Sequence, residues 1–591
     1  MIRIPSVNSF VILVRRLAEK NLLTTKLPIL LILIFALCIR LYGLNWDQGQ
    51  HLHPDERFLT MVAVAQEFPS SFKQYLDPIS SKLNPANIGF PFYVYGTFPI
   101  TFVKYVATTF ERGDYFQLTQ VGRAVSAILD VGIVLIVYLL TSLFQRQYKW
   151  DRRIKYVSAF LYSIMVFPIQ VSHFFTVDNF VTFFMLGALY FAYRARFLLS
   201  KRELNIILSA AFFGLALASK INAIYIAPLL GAVLFLKSIK KFNFREIPSI
   251  LIVGLFFTGT AYIFLRLADP YLFANGNFFD PQMSKIFIKN ILELQVLNTP
   301  EAWYPPGVQW ISKTKILFPL QNIFFFGMGP VLFISAILGV IMLLKNNPRL
   351  ELYLLYLWVF AFFIYQGMQF GMTMRYFSIL YSLLAIPAGY FVINLFSFNI
   401  VESPGDNSHR AWIKSRSPIF IIYAILILIW PLAFLSIYSR PHSRVTASKW
   451  MYENLPPTAV LAQEHWDDSL PLGFPENINS FTTIQMPVFA PDDAGKWNEI
   501  TDALQKADYI VFTSNRGYGS MTTAPQRFPR MAQFYNDLFA GKLEFKKIKE
   551  FTSYPGIRVG SVGFEIPDQW SEEAFTVYDH PKVSIFQRVS R

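Results

Sequence analysis

The chain is almost without cysteine. Its one thiol, Cys38, lies inside a long apolar run, so an intrachain disulfide is excluded. Charge is sparse too, at 15% of 591 residues. There is no low-complexity segment and no internal repeat, which argues against the matched halves of many transporters. No small-residue cleavage site follows the first apolar run, although basic residues precede it. That run therefore reads as an uncleaved first span. What abounds is apolar: 54% hydrophobic and 17% aromatic residues, with a mean hydropathy of +0.38. These residues fall in runs of membrane-spanning length, which excludes an ordinary soluble chain.

The net charge of +15 is uneven. Residues 440–591 carry 16 basic and 18 acidic side chains, leaving 37 basic and 20 acidic for the rest. The excess sits in short loops between apolar runs. It reads as charge that orients membrane helices, not as a surface for nucleic acid.

Eleven spans are expected, near 28–44, 122–144, 154–175, 179–199, 204–219, 221–236, 247–267, 323–344, 350–367, 376–398 and 418–437. Several are short or hold Pro or Gly, so bent and broken helices are expected. The stretch 90–110 is ambiguous. Basic residues cluster before the first span (Arg15, Arg16, Lys20, Lys26) and in loops 145–155, 194–202, 237–245, 345–349 and 410–416. All fall on the cytoplasmic side only if 90–110 does not cross. It is therefore expected at the interface, helped by Pro91 and Pro99. Residues 45–121, the turn after the third span, the 268–322 loop, the 368–375 turn and the tail then share the outer face.

The fold expected is a polytopic α-helical membrane domain over 1–437, with a large first outer loop, and an extracytoplasmic α/β domain over 438–591. In the latter, "TASKWMYENL" has helical spacing with a capping Thr446, while "AVLAQEHWDD", "ADYIVFTSN" and "KVSIFQRV" read as strands.

The polar residues on the outer face carry the chemistry. In "HLHPDERF" (51–58), Pro54 suits a first helical turn, and Asp55 and Glu56 suit its dipole. Phe58, Leu59, Met61, Val62 and Ala65 form an apolar stripe for a helix on the membrane surface. The acids either start that helix or supply a carboxylate at the surface. Asp178 in "SHFFTVDNF" ends the third span, where an acid is costly unless solvated or paired. Lys220 interrupts "GLALASKINAIY", and Arg266 and Arg375 sit at span ends, as anchors or as phosphate ligands. Arg123 and Asp130 lie one heptad apart and are read as a structural pair. "EHWDD" (464–468) has metal-ligand residue types but reads foremost as a polar loop after a strand.

An acidic pair after the first span, an acid after the third and an outer C-terminal domain resemble the lipid-carrier-dependent glycosyltransferases of the C-type membrane fold. The nearest group is the protein O-mannosyltransferases and aminoarabinose transferases. "HPDERF" matches the family's first-loop acidic motif, and "VSHFFTVDNFVTFF" its third-to-fourth-span region. "MRYFSILYSLLAIPAG" is similar to a late motif, though the usual Leu-Pro after the aromatic is absent. The likeness covers residues 28–400. It implies transfer of a hexosyl- or pentosyl-type sugar from a polyprenyl-phosphate donor, with inversion. Asp55 would be the general base, supported by Glu56 and Asp178. Arg57, Lys220, Arg266 and Arg375 would meet the phosphate. A divalent metal on Asp55, Glu56 and His53 is compatible with those residue types. The acceptor, whether protein, lipid or glycan, is left open. The rival reading is a transporter or flippase for a lipid or sugar. The implied place is the cell membrane, plasma or inner, with the active site outside.

Overall fold

The computed structural model describes residues 22–240, 247–396, 417–475, 481–560 and 562–589. Of the basic residues expected on the cytoplasmic side, Arg15, Arg16, Lys20, Lys241, Arg245 and those of the 410–416 loop lie outside the described residues.

The chain is a multi-pass helical membrane protein. Among the described residues, six helices are long and apolar enough to cross: Tyr115–Tyr148, Leu199–Ser219, Ile247–Ala268, Leu350–Gly367, Met374–Leu395 and Pro418–Asn454. Two bent pairs, Ile154–Ser163 with Val166–Ser172 (58°) and Leu317–Gly327 with Pro330–Asn346 (115°), bring the number to eight. Leu22–Leu41, Asp178–Phe197 and Ala227–Lys240 fall where the other three expected spans lie, without meeting the same measure. The sharper bend has a local cause. Gly329 takes φ 82°, open to glycine alone without strain, and Pro330 then starts the next helix.

Small residues let the helices touch. A Cβ on Gly339 would meet the Pro387 carbonyl oxygen at 2.0 Å, and one on Gly389 would meet Ser158 Oγ at 2.2 Å. Among the described residues, the basic loops 145–155, 194–202 and 345–349 meet at one end of the bundle. Trp150 Nε1 donates to Asn347 at 3.0 Å, and Arg196 pairs with Glu351 at 3.3 Å. The helix Asp178–Phe197 runs from there to the opposite end, where Asp178 begins it. Within 90–110 only Phe98–Thr109 is helical. At about 1.5 Å per residue it spans roughly 18 Å, too short for a bilayer core of about 30 Å.

Among the described residues of the C-terminal part lie seven strands: β1 (Val460–Glu464), β2 (Thr482–Met486), β3 (Tyr509–Phe512), β4 (Phe545–Phe551), β5 (Gly556–Val559), β6 (Val562–Glu565) and β7 (Val583–Arg588). Five form a mixed sheet in the order β2-β1-β3-β7-β4. β1 runs parallel to β2 and β3, while β7 is antiparallel to β3 and β4. The three expected strands are its central ones, and β3 is buried throughout. The unexpected β2 and β4 are its edges. "FKKIKEF" is studded with lysine, which protects an edge but hides the strand from a hydrophobicity reading. The expected helix runs over Ser443–Asn454, but its cap is the ring of His442, which accepts the Arg444 amide at 3.1 Å, not Thr446.

Candidate active site

The segment 51–58 folds as its residues dictate. His53 stays extended, its ring accepts the Glu56 amide at 3.3 Å, and Pro54 opens the helix Pro54–Ala65. Successive residues on a helix point about 100° apart, so the two acids diverge. Glu56 turns inward and is fully buried. Arg123 donates to both its oxygens, at 2.5 and 2.9 Å, and the Phe175 amide adds a bond at 2.8 Å. Arg123 also binds Asp47 at 2.7 Å and lies 4.8 Å from the Trp46 ring. Glu56 is thus a buried strut and does not reach the cavity, against the expectation of a catalytic role. Asp130, expected to pair with Arg123, pairs instead with Arg40 at 2.5 Å and accepts from Tyr162.

Asp55 turns away from Glu56 into a cavity of about 520 Å³ between residues 52–57, the 291–310 segment, the 365–376 turn and the C-terminal α/β region. Its carboxylate pairs with Arg375, on the turn Met374–Phe377. Burial would raise the Asp55 pKa, but the Arg375 charge, with His53 and the hydrogen bond, outweighs it and holds the group below its ordinary value. Asp55 is therefore ionised at neutral pH.

Arg375 and Tyr376 also wall a smaller cavity of about 50 Å³ that holds Asp178 and Lys220. Lys220 Nζ bonds Asp178 at 3.0 Å and lies 5.3 Å from the Tyr376 ring. It ends the helix Arg202–Ser219, and the chain at Gly96 packs so close that a Cβ there would meet the Ala218 oxygen at 1.8 Å. Asp55, Arg375, Lys220 and Asp178 are thus drawn together from four separate segments.

Two expected phosphate ligands are already engaged by the protein. The Arg266 guanidinium is buried and donates to the carbonyls of Pro270, Asn275 and Asn277, with its carbon 4.4 Å from the Phe273 ring. It organises that loop and is not free for a phosphate. Arg57 does line the large cavity, but it is latched to Asp468 of the C-terminal domain at 2.8 Å.

The metal set does not assemble. Both Glu56 oxygens are taken by Arg123, and His53 accepts a backbone amide while burial pushes it down to about 4. No group of three acid, His or Cys ligands able to hold a metal occurs among the described residues.

The far wall of the cavity is built from the C-terminal domain, which no sequence pattern connects to the site. Trp466, Asp467 and Asp468 come from "EHWDD". Arg444 binds both aspartates, at 2.5 and 3.0 Å. Arg516 and Tyr578 complete the wall, with Tyr578 packed 4.1 Å from the His53 ring. The one advance signal was the residue types of "EHWDD" after a strand.

Residues 116–263, with Arg123, Asp178 and Lys220 among them, match the family model of dolichyl-phosphate-mannose-protein mannosyltransferase. Over this quarter of the chain, the resemblance to lipid-carrier-dependent glycosyltransferases is borne out. Solved structures similar to this one include the oligosaccharyltransferase of Archaeoglobus fulgidus in the apo form. It has 15% identity and a TM-score of 0.48, covering 85% of this chain and 72% of that one. ArnT from Cupriavidus metallidurans bound to undecaprenyl phosphate has 12% identity and a TM-score of 0.47, covering 84% of this chain and 94% of that one. The Archaeoglobus fulgidus enzyme AglB with an inhibitory peptide and a dolichol-phosphate has 14% identity and a TM-score of 0.46, covering 92% and 74%. No curated protein sequence matches the chain.

Proposed function

We propose that this protein is an integral-membrane glycosyltransferase. It moves a hexosyl- or pentosyl-type sugar from a polyprenyl-phosphate donor to an acceptor on the extracytoplasmic face, with inversion. The observation that carries this reading is the ionised Asp55 on the cavity wall, paired with Arg375 and neighboured by the Lys220–Asp178 pair. The family match over residues 116–263 supports it.

Asp55 takes the proton of the acceptor hydroxyl while its oxygen attacks the anomeric carbon from the face opposite the phosphate. The bond from that carbon to the phosphate oxygen breaks, and the phosphate leaves with the electron pair. Its charge is met by Arg375 and Lys220, with Arg57 as a further cation at the cavity. Asp178 holds Lys220 in place. Arg375 is shared: as the phosphate engages it, Asp55 loses part of its partner and becomes more basic. Glu56 and Arg266 drop out of the catalytic set.

An apolar cavity of about 370 Å³ suits the carrier chain. It is lined by Leu320, Phe333, Val359, Phe363, Leu380 and Leu384 among others, and it begins just along the helix from Arg375. The convergence of basic loops at the end away from Asp178 supports a cytoplasmic end there, with the cavity and the 438–591 domain outside the cell membrane.

The test is transfer by the purified protein in lipid. A radiolabelled polyprenyl-phosphate sugar, given with membrane acceptors, is expected to yield labelled product and free polyprenyl phosphate. Passage of the intact donor across a vesicle bilayer, with no carrier released, would establish the flippase reading instead.

A further inference from the structure

Glu572 lies in the C-terminal domain, nearly 200 residues beyond the turn it touches, and is almost fully buried. Both carboxylate oxygens accept: Thr373 Oγ1 donates at 2.9 Å and the Met374 amide at 2.8 Å. Those donors are the two residues before Arg375, and Met374 opens the turn that carries it. Glu572 is itself anchored, its amide donating to Asn322 Oδ1 at 2.6 Å. The next amide, of Glu573, donates to Gln309 at 3.0 Å, and the Glu573 carboxylate pairs with Arg516 at 2.6 Å. Glu572 and Arg375 share a small cavity of about 80 Å³ with His53 and Asp178.

Docking of the domain does not explain this carboxylate. Elsewhere the domain is held by Asp579, which accepts from Gln170 at 3.0 Å and is backed within the domain by Tyr438 and His580. A buried carboxylate without a directly bonded cation is costly, and burial pushes Glu572 up to about 7. Its two oxygens hold two donors of one turn at once, which a side chain with a single acceptor cannot do.

We infer that Glu572 is a positioning residue for Arg375: it caps the Met374–Phe377 turn from the C-terminal domain and thereby aims the guanidinium at Asp55 and the donor phosphate. The inference rests on the reading of the cavity as a glycosyl-transfer site. It makes the C-terminal domain a working part of that site.

The experiment compares full-length Glu572→Ala, Glu572→Gln and Asp579→Asn, each also in an Arg375→Ala background. Two readouts are taken: amide hydrogen exchange of the 372–378 segment, and transfer from a radiolabelled polyprenyl-phosphate sugar. Glu572→Ala is expected to speed exchange at 372–378, and a misplacement of about 1 Å costs about 10²-fold in transfer. Glu572→Gln keeps one acceptor oxygen and loses less. In the Arg375→Ala background, Glu572→Ala should change transfer by no more than about twofold, since its effect runs through Arg375. Asp579→Asn should lower the thermal midpoint without that coupling. Equal fold losses from Glu572→Ala in both backgrounds, or the same local exchange in Asp579→Asn, would overturn the inference and leave Glu572 a docking residue. If exchange at 372–378 responds as expected but the wild-type protein transfers no carrier-linked sugar, the positioning stands and the glycosyl-transfer reading falls.

Discussion

Asp55 and Arg375, 320 residues apart in the chain, are joined by a hydrogen-bonded ion pair on the wall of the central cavity. The pair does two things at once. It keeps the carboxylate ionised although the group is half-buried, and it holds a cation on the cavity wall. In the transfer proposed above, base and phosphate ligand would restrain each other before the donor arrives and separate when it binds, as a direct displacement requires.

Asp55→Asn preserves the shape of the side chain and removes its basicity. A well-placed general base contributes about 10²–10⁴-fold, so transfer should fall by that much while the variant still binds the lipid donor. Lys220→Ala should weaken donor binding as well as turnover. Donor affinity and transfer rate, measured for both variants in the same lipid, separate the two roles. Near wild-type transfer by Asp55→Asn would make Asp55 a helix-start acid only.

Glu56→Gln should behave quite differently from Asp55→Asn. It weakens a fully buried pair and leaves Arg123 short of a partner. Breaking such a pair costs about 3–5 kcal/mol. A lowered thermal midpoint and yield are expected, with turnover per folded molecule little changed. A stable Glu56→Gln protein with lost turnover would return Glu56 to the catalytic set.

Glu464 gives a pH signature in the C-terminal sheet. It is buried, bonded to the Tyr535 hydroxyl, and burial pushes it up to about 8 from an ordinary 4.5. An acid whose pKa is raised by folding adds stability below its unfolded value, and loses it as pH rises toward the folded one. Wild-type stability should therefore carry a component that declines between about pH 4.5 and 8. Glu464→Gln should flatten that component in thermal melts across the window. An unchanged slope would mean that Glu464 titrates normally.

Sidedness can be read with thiols. In a Cys38→Ala background, single cysteines at Ser80, Arg112 and Ser469, all exposed, should react with an impermeant reagent added outside intact cells. Arg112 lies just past the short helix Phe98–Thr109. Its protection, with the other two positions labelled, would mean that the 90–110 stretch crosses the membrane after all.

What the sequence determined by itself was local. Long apolar runs dictate membrane helices, because unsatisfied backbone groups cannot be left in lipid. The His-Pro-Asp-Glu order dictates a helix start. Lys220, amid small apolar neighbours, stands out as a cation needing a partner. Tertiary structure decided the rest. Asp55 and Glu56 are adjacent and both acidic, and nothing local tells them apart. Their roles diverge because Arg123, 67 residues from Glu56, arrives on one side of the helix, and Arg375 on the other. Arg266 reads as a free cation until its loop folds back to offer three carbonyls. Trp466, Arg516 and Glu572 lie in a domain with its own sheet, and no local pattern reveals that its surface closes the cavity. Burial and pairing depend on which surfaces meet, and those meetings are between residues far apart in the chain.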